Sequence, residues 1–308
     1  MPNSIHTIDF LIVTPLDEER DAVLSLLDSP QQLPPDHADN RVYFESLMRA
    51  GHEDGHQGTY RIIVVSLVGM GTGQASATTS DAIRRWSPRY VLVVGIAGGV
   101  RKAGVALGDV LVASQIADYT LQKHRSGKPI EIRWQAQPVD TGLLERAQNF
   151  LGNDWIDAIR CERPVEGEPK RHIGPIASGD HVVASSKLLK AYSRPWPKLI
   201  GVEMEAAGIA RVVFQSKLKA GFFMVRGTSD LADPDKDSPE VESWRTYACE
   251  VAAAYAITFL RTGPVTFAEH ADTTPSASQA SPQSFSNNSI SGVSNSTIVL
   301  GNNINIEK

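Results

Sequence analysis

The sequence predicts an α/β domain with a largely parallel sheet covered on both faces by helices, followed by a disordered C-terminal tail. Three observations carry this expectation. Segments 8–13, 61–68 and 90–94 are continuous apolar runs rich in β-branched residues, amphipathic stretches separate them, and the composition changes sharply near residue 263. Strands that are apolar on both faces belong in sheets whose faces are covered by crossover helices.

Taken in order, residues 8–13 read as a buried strand. Thr14-Pro-Leu-Asp-Glu-Glu-Arg20 then opens a helix, with Thr14 as N-cap, Pro15 at the first helical position and acids in the first turn. A helix over 74–86 joins the strands at 61–68 and 90–94. Later units repeat the alternation: strand 199–202, helix 205–216, strand 221–226, and a last helix from about Trp244. That helix is expected to stop at Thr262-Gly263-Pro264, a glycine and then a proline. Residues 1–263 form one domain in this reading, and 264–308 a Ser/Asn-rich tail.

The 308 residues carry a net charge of −5, with 42% hydrophobic and 21% charged residues and a pI near 5.9. That balance argues against broad electrostatic binding to nucleic acid or an anionic membrane. No apolar run reaches the roughly 20 residues of a membrane helix, and the N-terminus lacks the pattern of a signal peptide. The two cysteines, Cys161 and Cys249, are far apart and have no Cys-x-x-Cys partner. Neither a disulfide framework nor a cysteine metal site is expected, no cofactor is implied, and a reducing cytoplasm is the default location.

The tail has no charged residue between 273 and 306. Serine and asparagine dominate it, so it cannot bury enough apolar surface to fold alone. Its end differs. Residues 296–306 combine β-propensity, zero charge and asparagines able to ladder, which is the composition of a cross-β zipper.

Four motifs are candidates for chemistry. Gly69-Met-Gly-Thr-Gly73 follows a strand and opens a helix, but its spacing is not that of a dinucleotide fingerprint. Gly95-Ile-Ala-Gly-Gly99 sits at a strand's C-terminal end, where open α/β sheets dock ligands and where glycines also serve a plain turn. Gly201-Val-Glu-Met-Glu-Ala-Ala-Gly208 brings two carboxylates to the mouth of the sheet, one of which could grip a ribose diol. Val225-Arg-Gly-Thr-Ser-Asp230 places Ser229 and Asp230 just past another strand, as a cap or as a proton donor.

Taken together with Glu19, Leu107-Gly-Asp-Val110 and Ala177-Ser-Gly-Asp180, these motifs occur in an order that resembles the purine nucleoside phosphorylase/uridine phosphorylase superfamily. The hydrolytic branch, the methylthioadenosine/S-adenosylhomocysteine nucleosidases, looks most similar, over about residues 8–262. The resemblance implies a three-layer nucleoside phosphorylase-like domain with a mixed, largely parallel central sheet flanked by helices. It also implies a small-molecule purine nucleoside or nucleotide as substrate, and a homo-oligomer.

Residue by residue, the resemblance makes Asp230, helped by Ser229, the acid that protonates purine N7 so that the base leaves neutral. Glu205 would bind the ribose hydroxyls with Met204 beneath the sugar and Glu203 in support. Glu19 would orient and deprotonate water, with Arg226 beside it. Gly95, Ala97 and Gly98 would line the substrate site, and backbone groups at Val182 and Val183 would hold the base edge. General acid help of this kind is worth about 10²–10⁴-fold, and an acid and a base on opposite faces of the sugar follow the logic of glycoside hydrolysis.

Water is favoured over phosphate as nucleophile. The turn Val93-Val-Gly-Ile-Ala97 offers neither the arginine nor the serine of a phosphate cradle, and an acid at Glu19 repels phosphate. Ile96 and Val182 depart from the serine and the aromatic usual in those nucleosidases. Basic groups in segments 122–128 and 170–172 would suit a nucleotide such as ATP if they face the ribose 5′ side. The variant also looks like phosphorylase-type domains of bacterial antiphage systems. Ile298-Val-Leu-Gly-Asn-Asn303 is similar to a RHIM-type amyloid signalling core, which would give the tail a homotypic partner. Two alternatives stay open: a phosphate-dependent phosphorylase, and a non-catalytic nucleoside-binding adaptor.

Overall fold

The computed structural model describes residues 6–267, except 37–38, 53, 128–129, 182, 184 and 235–237. The tail segment 296–306 and Val182 therefore lie outside the described residues.

The elements follow in chain order as β1 (Ile8–Thr14), α1 (Asp17–Leu26), β2 (Gln31–Gln32), β3 (Tyr43–Gly51), β4 (Gln57–Ser66), α2 (Thr72–Trp86) and β5 (Pro88–Gly99). A short 3₁₀ turn (Arg101–Ala103) leads to β6 (Val110–Asp118), β7 (Gln122–Lys123), β8 (Glu131–Ile132), β9 (Gln135–Pro138), α3 (Thr141–Asn149) and α4 (Asp154–Asp157). Then come β10 (Arg171–Ser178), α5 (Ser186–Ser193), β11 (Gly201–Glu203), α6 (Ala206–Gln215), β12 (Gly221–Asp230), α7 (Pro239–Glu242) and α8 (Trp244–Arg261).

The main sheet is mixed, in the order β11-β10-β6-β12-β5-β1-β4-β3-β2. β1 lies parallel between β4 and β5, and β5 runs parallel to β12, with Val94 beside Val225. β12 pairs antiparallel with β6, and β11 pairs antiparallel with β5, so the path closes on itself at one end. That closure draws the C-terminal ends of β5, β11 and β12 together.

Helix α8 explains why the fold is well covered. It is apolar nearly all round, with Ala252, Ala253, Ala254, Ala256 and Leu260 fully buried, as expected of a helix inside the molecule. Its alanines let it approach β12 so closely that a Cβ on Gly227 would lie only 2.7 Å from the carbonyl carbon of Ala248. Beyond the last helix, Phe267 packs on Tyr60 with ring centroids 4.9 Å apart, and Arg89 Nη1 donates to the Thr266 carbonyl at 2.6 Å.

Two local expectations change. Thr14 does not cap α1: it is the last residue of β1, and its hydroxyl meets Ser66 Oγ at 3.1 Å. Leu16 is the N-cap instead, and its N–H donates to Glu19 Oε2 at 2.6 Å, the carboxylate half of a capping box. β5 and β12 also run further than the apolar runs suggest, so Gly95–Gly99 and Ser229–Asp230 are strand residues. None of the described helices is long and apolar enough to cross a membrane.

Candidate active site

Glu203 and Glu205 stand where β11 passes into α6. The Glu203 carboxylate accepts from the N–H groups of Glu205 (3.1 Å) and Ala206 (3.0 Å), capping the helix whose N-terminal dipole favours negative charge. Ser178 Oγ accepts from the Ala207 N–H at 2.8 Å and completes the cap. Glu205 reaches the other way, accepting a long 3.5 Å bond from the Gly71 N–H of the glycine loop before α2. That loop is pinned from β10's end: Asp180 Oδ1 accepts from the Thr72 N–H at 2.7 Å, and its Oδ2 from the Thr72 hydroxyl at 2.9 Å. Gly71 needs glycine because its φ is +95°.

Arg226, on β12, is fully buried and central. Its Nη2 donates to Glu203 and lies 3.4 Å from Glu205 Oε2, while Nη1 lies 4.0 Å from Glu19 Oε1. One cation thus serves three buried carboxylates. The arithmetic is unbalanced, and burial pushes the Glu19 carboxyl up to about 7 against the pull of Arg226 and of two backbone donors. Burial and neighbouring Glu203 raise Glu205 as well. Neither Nε nor Nη1 of Arg226 has a hydrogen-bond partner among the described residues.

On the β12 end opposite this cluster, Ser229 Oγ lies 3.1 Å from Asp230 Oδ2, and Asp230 Oδ1 accepts from the Ala232 N–H at 2.7 Å. The carboxylate is held from one side and open to the other.

A cavity of about 300 Å³ joins the two groups. Glu19, Glu203, Met204, Glu205, Ser229 and Asp230 line it, together with Ala97, Gly98 and Val183. Gly95 and Arg226 stand behind the wall. Gly95 is small because a Cβ there would overlap Glu19 Oε1 and lie 2.5 Å from Arg226 Nη1. Gly98 likewise leaves room for Asp230 Oδ1, 2.8 Å from where its Cβ would sit.

The sequence reading missed Met70, His181, Glu242 and Arg245, which also line the cavity. His181 directly follows the Ser-Gly-Asp motif, which is the only signal that could have found it. Arg245 donates to Glu18 at 2.9 Å from the start of α8. No described residue of the basic segments 122–128 and 170–172 lines this cavity, so they do not supply the condition under which they would suit a 5′-phosphate. Arg125 faces Glu131 at 3.3 Å, and His172 binds Asp109 at 2.8 Å; neither borders the cavity.

Residues 10–261 match the profile of the family described as the Phosphorylase superfamily. A 5′-methylthioadenosine/S-adenosylhomocysteine nucleosidase of Shewanella loihica is 28% identical over 65% of this chain and 81% of its own length. An Escherichia coli relative named ATP nucleosidase Cap17 is 27% identical over 84% of this chain and 52% of its own. The chain spans about half or less of the length of several curated relatives it matches. In fold it is similar to the Neisseria meningitidis 5′-methylthioadenosine/S-adenosylhomocysteine nucleosidase crystallised with methylthio-immucillin-A, at a TM-score of 0.63 and 22% identity, covering 82% of this chain and 99% of that one.

Proposed function

The chain belongs to the Phosphorylase superfamily, and from that membership and its acidic cavity we propose that it hydrolyses the N-glycosidic bond of an adenine nucleoside or nucleotide, releasing the base. The observation that carries this reading is the placement of Glu19 and of the Ser229–Asp230 pair on one cavity. Cleaving the bond requires a proton on the departing base and a nucleophile at the sugar carbon. Asp230, backed by Ser229, supplies the proton to N7. Glu19 takes one from water, Glu205 accepts from the ribose hydroxyls, and Met204 packs beneath the sugar. Arg226 and Glu203 hold these carboxylates in place, and Val183 borders the base.

Hydrolysis is supported over phosphorolysis by charge. Arg226 is already shared by three carboxylates, and the lining adds Asp230 and Glu242 against Arg245. Inorganic phosphate finds no uncompensated cation among the described lining residues. Relatives named for ATP and for methylthioadenosine/S-adenosylhomocysteine cleavage support adenine as the base, with the 5′ group left to experiment.

We read the protein further as a homo-oligomer, because Val68 and Met70, in the loop before α2, are 83% and 64% exposed. The tail, with residues 296–306, recruits it to a homotypic partner as a stress or antiphage effector. Incubation with methylthioadenosine, S-adenosylhomocysteine, adenosine, AMP and ATP, measuring adenine, tests the activity. Release by the native chain and its loss in Asp230→Asn are expected; no release from any substrate overturns the reading.

A further inference from the structure

A second cavity, about 700 Å³, lies behind the Asp230 turn and has the opposite polarity. Arg101 and Lys102 enter it from the 3₁₀ turn after β5, and Lys190 and Arg194 from the C-terminal end of α5. Among the described residues a single acid, Asp233, borders it, 3.6 Å from Arg101. Lys102, Lys190 and Arg194 make no ion pair with any described residue. Basic residues at the end of a helix complement its dipole, but that accounts only for the α5 pair. It leaves unexplained why a separate turn brings two more cations to the same hollow in a chain of net charge −5.

The floor is apolar: Val100 and Leu231 are buried beneath the charges. Both are close in sequence to the catalytic cavity's wall, Val100 two positions after Gly98 and Leu231 directly after Asp230. Four like charges around a low-dielectric floor repel one another, and an anion relieves that repulsion.

We propose that this cavity is a second ligand site, for a phosphorylated small molecule with an apolar body, of the nucleotide class. Its phosphates meet Lys102, Lys190 and Arg194, and its body covers Val100 and Leu231. The acidic catalytic cavity is the poorer place for such an anion. Because Leu231 adjoins Asp230, occupancy also bears on the turn that holds the proton donor.

The test is calorimetric titration of the full chain with pyrophosphate, which has neither base nor sugar, so its outcome does not depend on the nucleosidase reading. Saturable binding of one pyrophosphate per chain is expected, weakening with added salt. The Lys102→Ala/Lys190→Ala/Arg194→Ala variant should bind at least about tenfold more weakly while releasing adenine at the native rate. ADP, titrated into the Asp230→Asn chain, should bind more tightly than pyrophosphate and lose that affinity with the same three substitutions. Unchanged pyrophosphate affinity in the triple variant, or no saturable binding by the native chain, overturns the site. ADP no tighter than pyrophosphate removes the apolar body from the ligand.

Discussion

The backbone N–H of Ile96 donates to Glu19 Oε1 at 2.7 Å. A main-chain donor holds the carboxylate from β5 while the N–H of Leu16, the N-cap of α1, holds its other oxygen. What the carboxylate lacks is solvent. Burial, the largest influence, moves it to about 7, inside the range where a general base is effective.

This gives a pH prediction for activity. As a base, Glu19 works when deprotonated, so kcat/KM should rise with pH through an ascending limb near 7. Glu19→Gln should lower the rate by about 10²–10⁴-fold and flatten that limb. A profile measured from pH 5 to 9 checks both; an unchanged limb in Glu19→Gln contradicts the role.

The same group makes a stability prediction of opposite slope. Its folded pKa lies above the ordinary 4.5, so the folded chain binds the extra proton. That contribution is fully present below 4.5 and is lost as pH rises through about 7, to a total on the order of 3 kcal/mol. Glu19→Gln, uncharged at every pH, should therefore gain stability over the native chain in urea unfolding at pH 8 and gain little at pH 5.

Arg226→Met should unfold more easily by about 3–5 kcal/mol, because it leaves Glu19, Glu203 and Glu205 buried without their cation. Native-like midpoints in urea for this variant would show that the carboxylates are already neutral in the native chain.

Gly95→Ala and Gly73→Ala separate site crowding from glycine loss in general. The added Cβ at 95 collides with Glu19 and Arg226, whereas at 73 it meets nothing within 4 Å. The first should lose most activity. The second, in the first turn of α2, should keep activity and match or exceed native stability, since alanine favours helix over glycine. Comparable activity in the two variants contradicts the crowding argument.

Much of this was legible in the sequence because it is local. Val202-Glu-Met-Glu205 and Arg226-Gly-Thr-Ser-Asp230 each place several site residues in one short stretch beside a strand that its apolar run marks, although β12 itself extends to Asp230. Thr14 misled because a threonine before a proline satisfies the capping pattern, while pairing across to Ser66 carries the strand one residue further. His181, Glu242 and Arg245 were not legible. They reach the cavity from β10's loop, α7 and α8, and only the sheet order that closes β11 onto β5 sets where those elements end. Nor is it legible locally that His172 spends its ring on Asp109.

The central claim is that water, activated at Glu19, attacks the sugar. The measurement that reaches it most directly is the sugar product formed from the best adenine substrate, with and without inorganic phosphate. Free ribose, or a ribose carrying the substrate's 5′ group, is expected at the same rate in both buffers. Ribose 1-phosphate, or turnover that requires phosphate, would contradict it.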